Sequence, residues 1–120
     1  MNYKLIQKVA AKAGHRQHLH VVIITKGGAI LSTGYNHGDT HAEVMALTKL
    51  WPAARKGTRL YSYRLLNNGK LAMAKPCLHC QKVIERAGVK QVFWSDPDGK
   101  IVKTKVGAGD SACYHNHKDP

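Results

Sequence analysis

A chain of 120 residues with 43% apolar content holds material for one hydrophobic core and too little for two, so residues 1–120 are expected to form a single domain. Its longest apolar run, Val21-Val22-Ile23-Ile24, falls far short of the roughly 20 residues that a membrane-spanning helix needs, and no membrane partner is expected. Nineteen Lys and Arg against seven Asp and Glu give a formal charge of +12, with no acid in residues 1–38 or 44–84. Such a surface attracts phosphates, or serves only solubility.

The opening "MNYKLIQKVAAKAG" interleaves lysines with short apolar pairs and lacks the uninterrupted apolar core of a signal peptide, so a cytoplasmic location is expected. It places Leu5, Ile6, Val9, Ala10 and Ala13 on one helical face and Lys4, Lys8 and Lys12 on another, with Gly14 as a stop signal. "HLHVVIITKGG" then reads as an apolar strand running into a Lys-Gly-Gly turn. "AILSTGYN" follows as a second strand, and so short a connection makes a hairpin. A helix over about His41 to Leu50 is expected next, capped by Asp39 or Thr40 and ending before Trp51-Pro52.

"TRLYSYRLL" has the aromatic, alternating character of a third strand, and "KLAMAK" can return beside it as a short ribbon after the Asn67-Asn68-Gly69 turn. Pro76 is expected to open a helix with Cys77 and Cys80 in its first turn, ending near Ala87-Gly88. "KQVFWS" and "KIVKTKV" are strands joined by "DPDG", a link too short for the crossover that parallel strands need, so they form an antiparallel hairpin. Residues 107–120 read as an irregular tail. The order implies a three-layer α/β domain: a mixed central sheet of about five strands with helices on both faces.

Two pairs of chemically capable residues fall at expected helix starts, His41 with Glu43 and Cys77 with Cys80. A helix start offers free N–H groups and positive potential, which favour the thiolate, and cysteines three apart there face one side. One imidazole and two thiolates supply three ligands, so a tetrahedral zinc ion would keep its fourth position for water. Glu43, two residues beyond His41, can reach that water and move its proton. Other readings stay open. Thr40-x-x-Glu43 has the spacing of a capping box, Cys77 and Cys80 could be a redox pair, and His115 or His117 could close a purely structural zinc site. His15, His18 and His20 lack ligand spacing, His79 reads as a surface residue at the pocket rim, and Cys113 as a tail thiol. An odd count of three cysteines argues against a disulfide framework.

His-Ala-Glu at 41–43 with Pro-Cys-Leu-His-Cys at 76–80 is the H-x-E and P-C-x-x-C pattern of zinc nucleobase deaminases, and the chain resembles the cytidine and deoxycytidylate deaminase superfamily. The resemblance implies a cytidine-deaminase-like fold, a Zn²⁺ held by His41, Cys77 and Cys80, and hydrolytic loss of ammonia from C4 of cytosine or C6 of adenine. Glu43 is then the proton carrier. Backbone near Ala42 and around Pro76 and Cys77 holds the base, and Asn36 faces the sugar. "HAEVMAL" looks like the tRNA adenosine deaminases, whereas the antiparallel last hairpin looks like the nucleoside enzymes, and Leu78 stands where those usually have glycine.

Arg59, Arg64, Lys70 and Lys75 lie on the strand and ribbon leading to the site and suit a phosphate, while Phe93 or Trp94 could stack a base. The reading that follows is deamination of cytosine to uracil in a (deoxy)cytidine nucleoside or nucleotide. A single-stranded DNA or tRNA deaminase is the alternative, and a zinc-stapled nucleic-acid-binding module the non-enzymatic one. A homo-oligomer is expected, as is common in the family.

Overall fold

The structure, a computed structural model, describes residues 3–13 and 19–106. The expected tail, with Cys113, His115 and His117, lies outside the described residues. Helix α1 (Tyr3–Ala11) precedes strands β1 (Leu19–Lys26) and β2 (Ala29–Tyr35), helix α2 (Ala42–Thr48), the single turn α3 (Pro52–Arg55) and strand β3 (Arg59–Leu65). The two-residue β4 (Leu71–Ala72), helix α4 (Leu78–Ala87) and strands β5 (Gln91–Ser95) and β6 (Ile101–Lys105) complete the order.

One sheet results, in the order β2-β1-β3-β5-β6, and β4 pairs with β3 as a sixth strand. Among the described residues only β3 and β5 run parallel; the other pairings are antiparallel, including the last hairpin. The β5–β6 turn closes as "DPDG" suggests, with Asp96 Oδ1 accepting the N–H groups of Asp98 at 2.9 Å and Lys100 at 2.8 Å.

Central strand β1 is buried on both sides, which is why its sequence is a continuous apolar run. Val21 and Ile23 pack with Ile6, Val9 and Ala10 of α1 and with Tyr63 and Leu65. Their neighbours Val22 and Ile24 face the opposite way, into a core with Ala42, Ala46, Leu47, Leu60, Ile84, Val92 and Trp94. Thus α1 covers one face and α2 with α4 the other, giving the three layers.

Three local expectations need correction. His41, not Asp39 or Thr40, is the N-cap of α2, with no side-chain cap hydrogen bond. The backbone of Thr40 is engaged instead with His37 in both directions, at 2.9 and 3.1 Å, so the capping-box reading of Glu43 falls away. Cys77 is the N-cap of α4, one position before the first turn. Beyond Trp51 the chain turns helical again at α3, because Pro52 stands at the start of a turn, where its missing N–H is no loss.

Candidate metal centre and its pocket

Two helix N-caps and one first-turn residue build the centre. His41 and Cys77 both have extended cap backbones (ψ 149° and 167°), which turn their side chains across the gap between α2 and α4. His41 Nδ1 lies 3.2 Å from Cys80 Sγ and 3.9 Å from Cys77 Sγ. All three ligand atoms fall within 4.8 Å of one another, forming the one such group found among the described residues. A tetrahedral zinc ion with bonds of about 2.3 Å to sulfur and 2.0–2.1 Å to nitrogen sets its nitrogen and sulfur ligands about 3.6 Å apart. The observed pair of distances straddles that value, so the donor set fits zinc without rearrangement of the helices.

Helix α2 is fixed to β2 by close contact and by polar staples. Gly34 on β2 lets the helix sit where any Cβ would meet Ala42 O at 2.4 Å. Ser32 Oγ donates to Ala46 O at 2.8 Å, and exposed Lys49 Nζ donates to Thr33 O at 2.7 Å. Helix α4 ends on Gly88, whose φ of 87° a residue with a side chain rarely adopts.

Glu43 points inward from the first turn of α2 and is only 1% exposed. Its Oε1 has no hydrogen-bond partner among the described residues and lies 3.8 Å from His20 Nδ1. A buried carboxylate oxygen left without a donor is expensive, and that arrangement is typical of a group reserved for a ligand. Cys80 is buried as well, and burial, with the charge of Glu43 second, pushes its thiol well above the ordinary range. The lowering expected from a helix start is overridden here, so a metal cation must displace the Cys80 proton.

A pocket of about 340 Å³ opens beside His41, lined by His20, Asn36, Gly38, Asp39, Thr40, His41 and Arg64. Asn36 is tied to β1 through its backbone N–H to His20 O at 3.2 Å and through Oδ1, which accepts the His20 N–H at 3.0 Å. Arg64 reaches the same pocket, its buried Nε lacking a hydrogen-bond partner among the described residues. Ala42 is fully buried behind the ligands, and Pro76 is buried with its carbonyl accepting Gln81 Nε2 at 2.9 Å.

Other candidates go elsewhere. Trp94 is 1% exposed within the core, with Lys75 Nζ 5.7 Å from its ring centroid, so base stacking on Trp94 is corrected to core packing. Phe93, the preceding residue of the strand, faces the opposite side and stacks on Tyr61 at 4.4 Å. Arg59 is exposed and bonds Gln91, while Lys70 lines a different cavity near the β5–β6 turn. His79 is exposed, 6.4 Å from His41 between ring centroids, as expected of a rim residue.

His20 was not singled out by ligand spacing, yet it lies against Glu43. Its signal was positional: on β1 it shares a face with Val22 and Ile24, so it is the polar residue on the buried side of a core strand. Burial lowers its pKa from 6.5; the Glu43 charge opposes that, while Arg64 and His41 reinforce it.

Residues 2–96 match the family described as the cytidine and deoxycytidylate deaminase zinc-binding region. The chain belongs to this deaminase family. Among solved structures, a dCMP deaminase from the cyanophage S-TIM5, in complex with dCMP and dUMP, is similar with a TM-score of 0.58 and 22% identity over 79% of this chain and 78% of that one. A cytidine deaminase from Burkholderia pseudomallei gives 0.61 and 17% identity over 89% and 94%. One from Mycobacterium leprae gives 0.54 and 22% over 86% and 93%. At these identities the likeness is one of fold. No curated protein matches the sequence. Like its structural neighbours, this deaminase-family chain shows a mixed sheet with helices around it. Among its described residues, no helix is long and apolar enough to cross a membrane.

Proposed function

We propose that the chain is a zinc-dependent hydrolytic deaminase that converts cytosine to uracil in a (deoxy)cytidine nucleoside or nucleotide and releases ammonia. One observation carries the reading: the buried carboxylate of Glu43, whose Oε1 has no hydrogen-bond partner among the described residues, stands on the same helix start as His41, whose ring meets Cys77 and Cys80. A staple that only held the fold would not need that carboxylate.

His41 Nδ1, Cys77 Sγ and Cys80 Sγ would hold the zinc ion. When bound, it supplies the positive charge that brings a water's pKa toward neutrality. Glu43 takes one proton from the attacking water and passes it to the ring nitrogen, then carries the remaining hydroxyl proton of the hydrated ring carbon to the amine, which leaves as ammonia. Asn36, anchored on β1, faces the sugar from the pocket wall, and the backbone at Ala42 and at Pro76 and Cys77 borders the base. Arg64 brings a guanidinium to the pocket, while Lys75 lies over the Trp94 ring and does not line the pocket. The structural neighbours support a small substrate, since one is a dCMP deaminase carrying nucleotides and two others are cytidine deaminases. The same reading places a homo-oligomeric, single-domain enzyme in a cytoplasm.

The charge of +12 favours a second reading, in which the cytosine belongs to a single strand. Deamination of deoxycytidine, deoxycytidylate and a cytosine-containing strand at low and physiological salt separates the two. Strand binding should weaken by about 0.7 in the logarithm of affinity per phosphate contact for each tenfold rise in salt. Turnover confined to the free nucleoside or nucleotide supports the small-substrate reading. With zinc bound and no turnover on any of the three, the cytosine deaminase reading fails.

A further inference from the structure

Three side chains form a line from the sheet to the centre. Ser62 Oγ donates to Ala74 O at 2.7 Å, and the same oxygen lies 2.6 Å from His20 Nε2. A serine hydroxyl has one proton. With that proton spent on Ala74, the second short contact requires His20 to donate from Nε2–H. The neutral ring therefore presents bare Nδ1 on its other side, and what Nδ1 faces is Glu43 Oε1 at 3.8 Å. That spacing suits two acceptors with no proton between them, since an N–H···O hydrogen bond would close to about 3.2 Å or less.

We propose that His20 is a positioning residue for Glu43, its Nδ1 held ready by Ser62 to accept a hydrogen bond from the carboxyl group once Glu43 has taken a proton from the attacking water. The proposal rests on the deaminase reading and extends it with a residue that the zinc motif does not contain. One O–H bond of water breaks, an O–H bond forms on Glu43, and that proton points at His20 Nδ1 until the carboxyl group gives it to the ring nitrogen of the base. No proton need move onto His20. The line gives the protonated carboxyl group a preferred orientation in a pocket that otherwise offers Oε1 no partner among the described residues. Burial, which lowers the His20 pKa, keeps the ring neutral and able to accept.

The test contrasts two substitutions. Asparagine can place an acceptor near the Nδ1 position but falls short of Ser62; glutamine reaches toward Ser62 but leaves the Nδ1 position empty. In zinc-loaded protein, His20→Asn should retain more kcat toward the best cytosine substrate than His20→Gln. His20→Gln should lose about three- to tenfold, the scale of a lost hydrogen bond between neutral groups, with KM little changed and zinc content intact. A role limited to packing against Ser62 predicts the reverse order, and that result overturns the proposal. Nitrogen NMR of the histidine rings in the zinc-loaded wild type reads the wiring without turnover. Nε2 should be protonated and Nδ1 bare, and Glu43→Gln, which brings an amide donor toward Nδ1, should shift the Nδ1 resonance. A protonated Nδ1, or one indifferent to Glu43→Gln, overturns the proposal even in an active enzyme. Inactivity of the wild type with the predicted resonances would instead count against the deaminase reading alone.

Discussion

Gly34→Ala should damage the metal centre from the far side of α2. The added Cβ would stand 2.4 Å from Ala42 O, 2.7 Å from Ala46 N and 3.0 Å from Ala46 Cβ, where ordinary contact begins near 3.4 Å. Two of these atoms are backbone, so no rotamer change relieves the clash. Helix α2 must retreat by about 1 Å from β2, the difference between 3.4 and 2.4 Å. Overpacking of this kind costs about 1–3 kcal/mol, and the backbone contacts put this case at the upper end. At a urea slope of roughly 1–3 kcal/mol per molar, the unfolding midpoint should fall by about 1 M or more. The same retreat carries His41 off Cys80, where the spacing is now 3.2 Å, so zinc affinity should fall together with stability. Urea titration with and without added zinc, plus metal analysis, measures both. An unchanged midpoint with a full complement of zinc would refute the claim that the β2–α2 contact positions the ligands.

Trp94→Ala should destabilise the protein by about 3–5 kcal/mol, the range for deleting a buried aromatic, and Phe93→Ala by less because Phe93 is only half-buried; equal losses would contradict their opposite facing. The pKa of His20 is lowered by folding, so its unfolded form takes up a proton near pH 6.5 while the folded form resists. Its contribution to stability is complete above that pH and declines below it. Denaturant midpoints followed downward from neutral pH should therefore fall more steeply in the wild type than in His20→Asn, and parallel curves would contradict this. Because burial raises the Cys80 thiol, zinc uptake should release protons and weaken steadily as pH falls from about 8 to about 6, which metal competition can follow. Trp51 is 83% exposed and Leu78 67% exposed, and if they cover a neighbour as the proposed oligomer suggests, light scattering at micromolar concentration should show a dimer or tetramer; a monomer would contradict it.

The metal ligands were legible because their signal is local: residue type, spacing and a helix start each can be read from a few neighbouring positions. The alternation of β1 likewise shows in Val21 to Ile24, and the brevity of "DPDG" fixes the antiparallel last hairpin. What escaped depended on pairing between distant segments. His20 meets Ser62 because β1 and β3 run antiparallel with Val22 opposite Ser62, and it meets Glu43 because α2 lies on that face. Which of Phe93 and Trp94 enters the core is set by the β3–β5 register, Tyr61 with Phe93 and Ser62 with Trp94, and composition favours neither. The cap of α2 moved to His41 because a backbone bridge between His37 and Thr40 outweighed side-chain capping propensity.

The proposed chemistry is tested most directly by Glu43→Gln, which removes a proton carrier and no metal ligand. The account predicts that this variant holds as much zinc as the wild type and unfolds at a comparable midpoint, while ammonia release from deoxycytidine or deoxycytidylate falls by at least about 10²-fold, the lower end for loss of a general acid–base group. Turnover that survives Glu43→Gln undiminished in the zinc-loaded protein would contradict it.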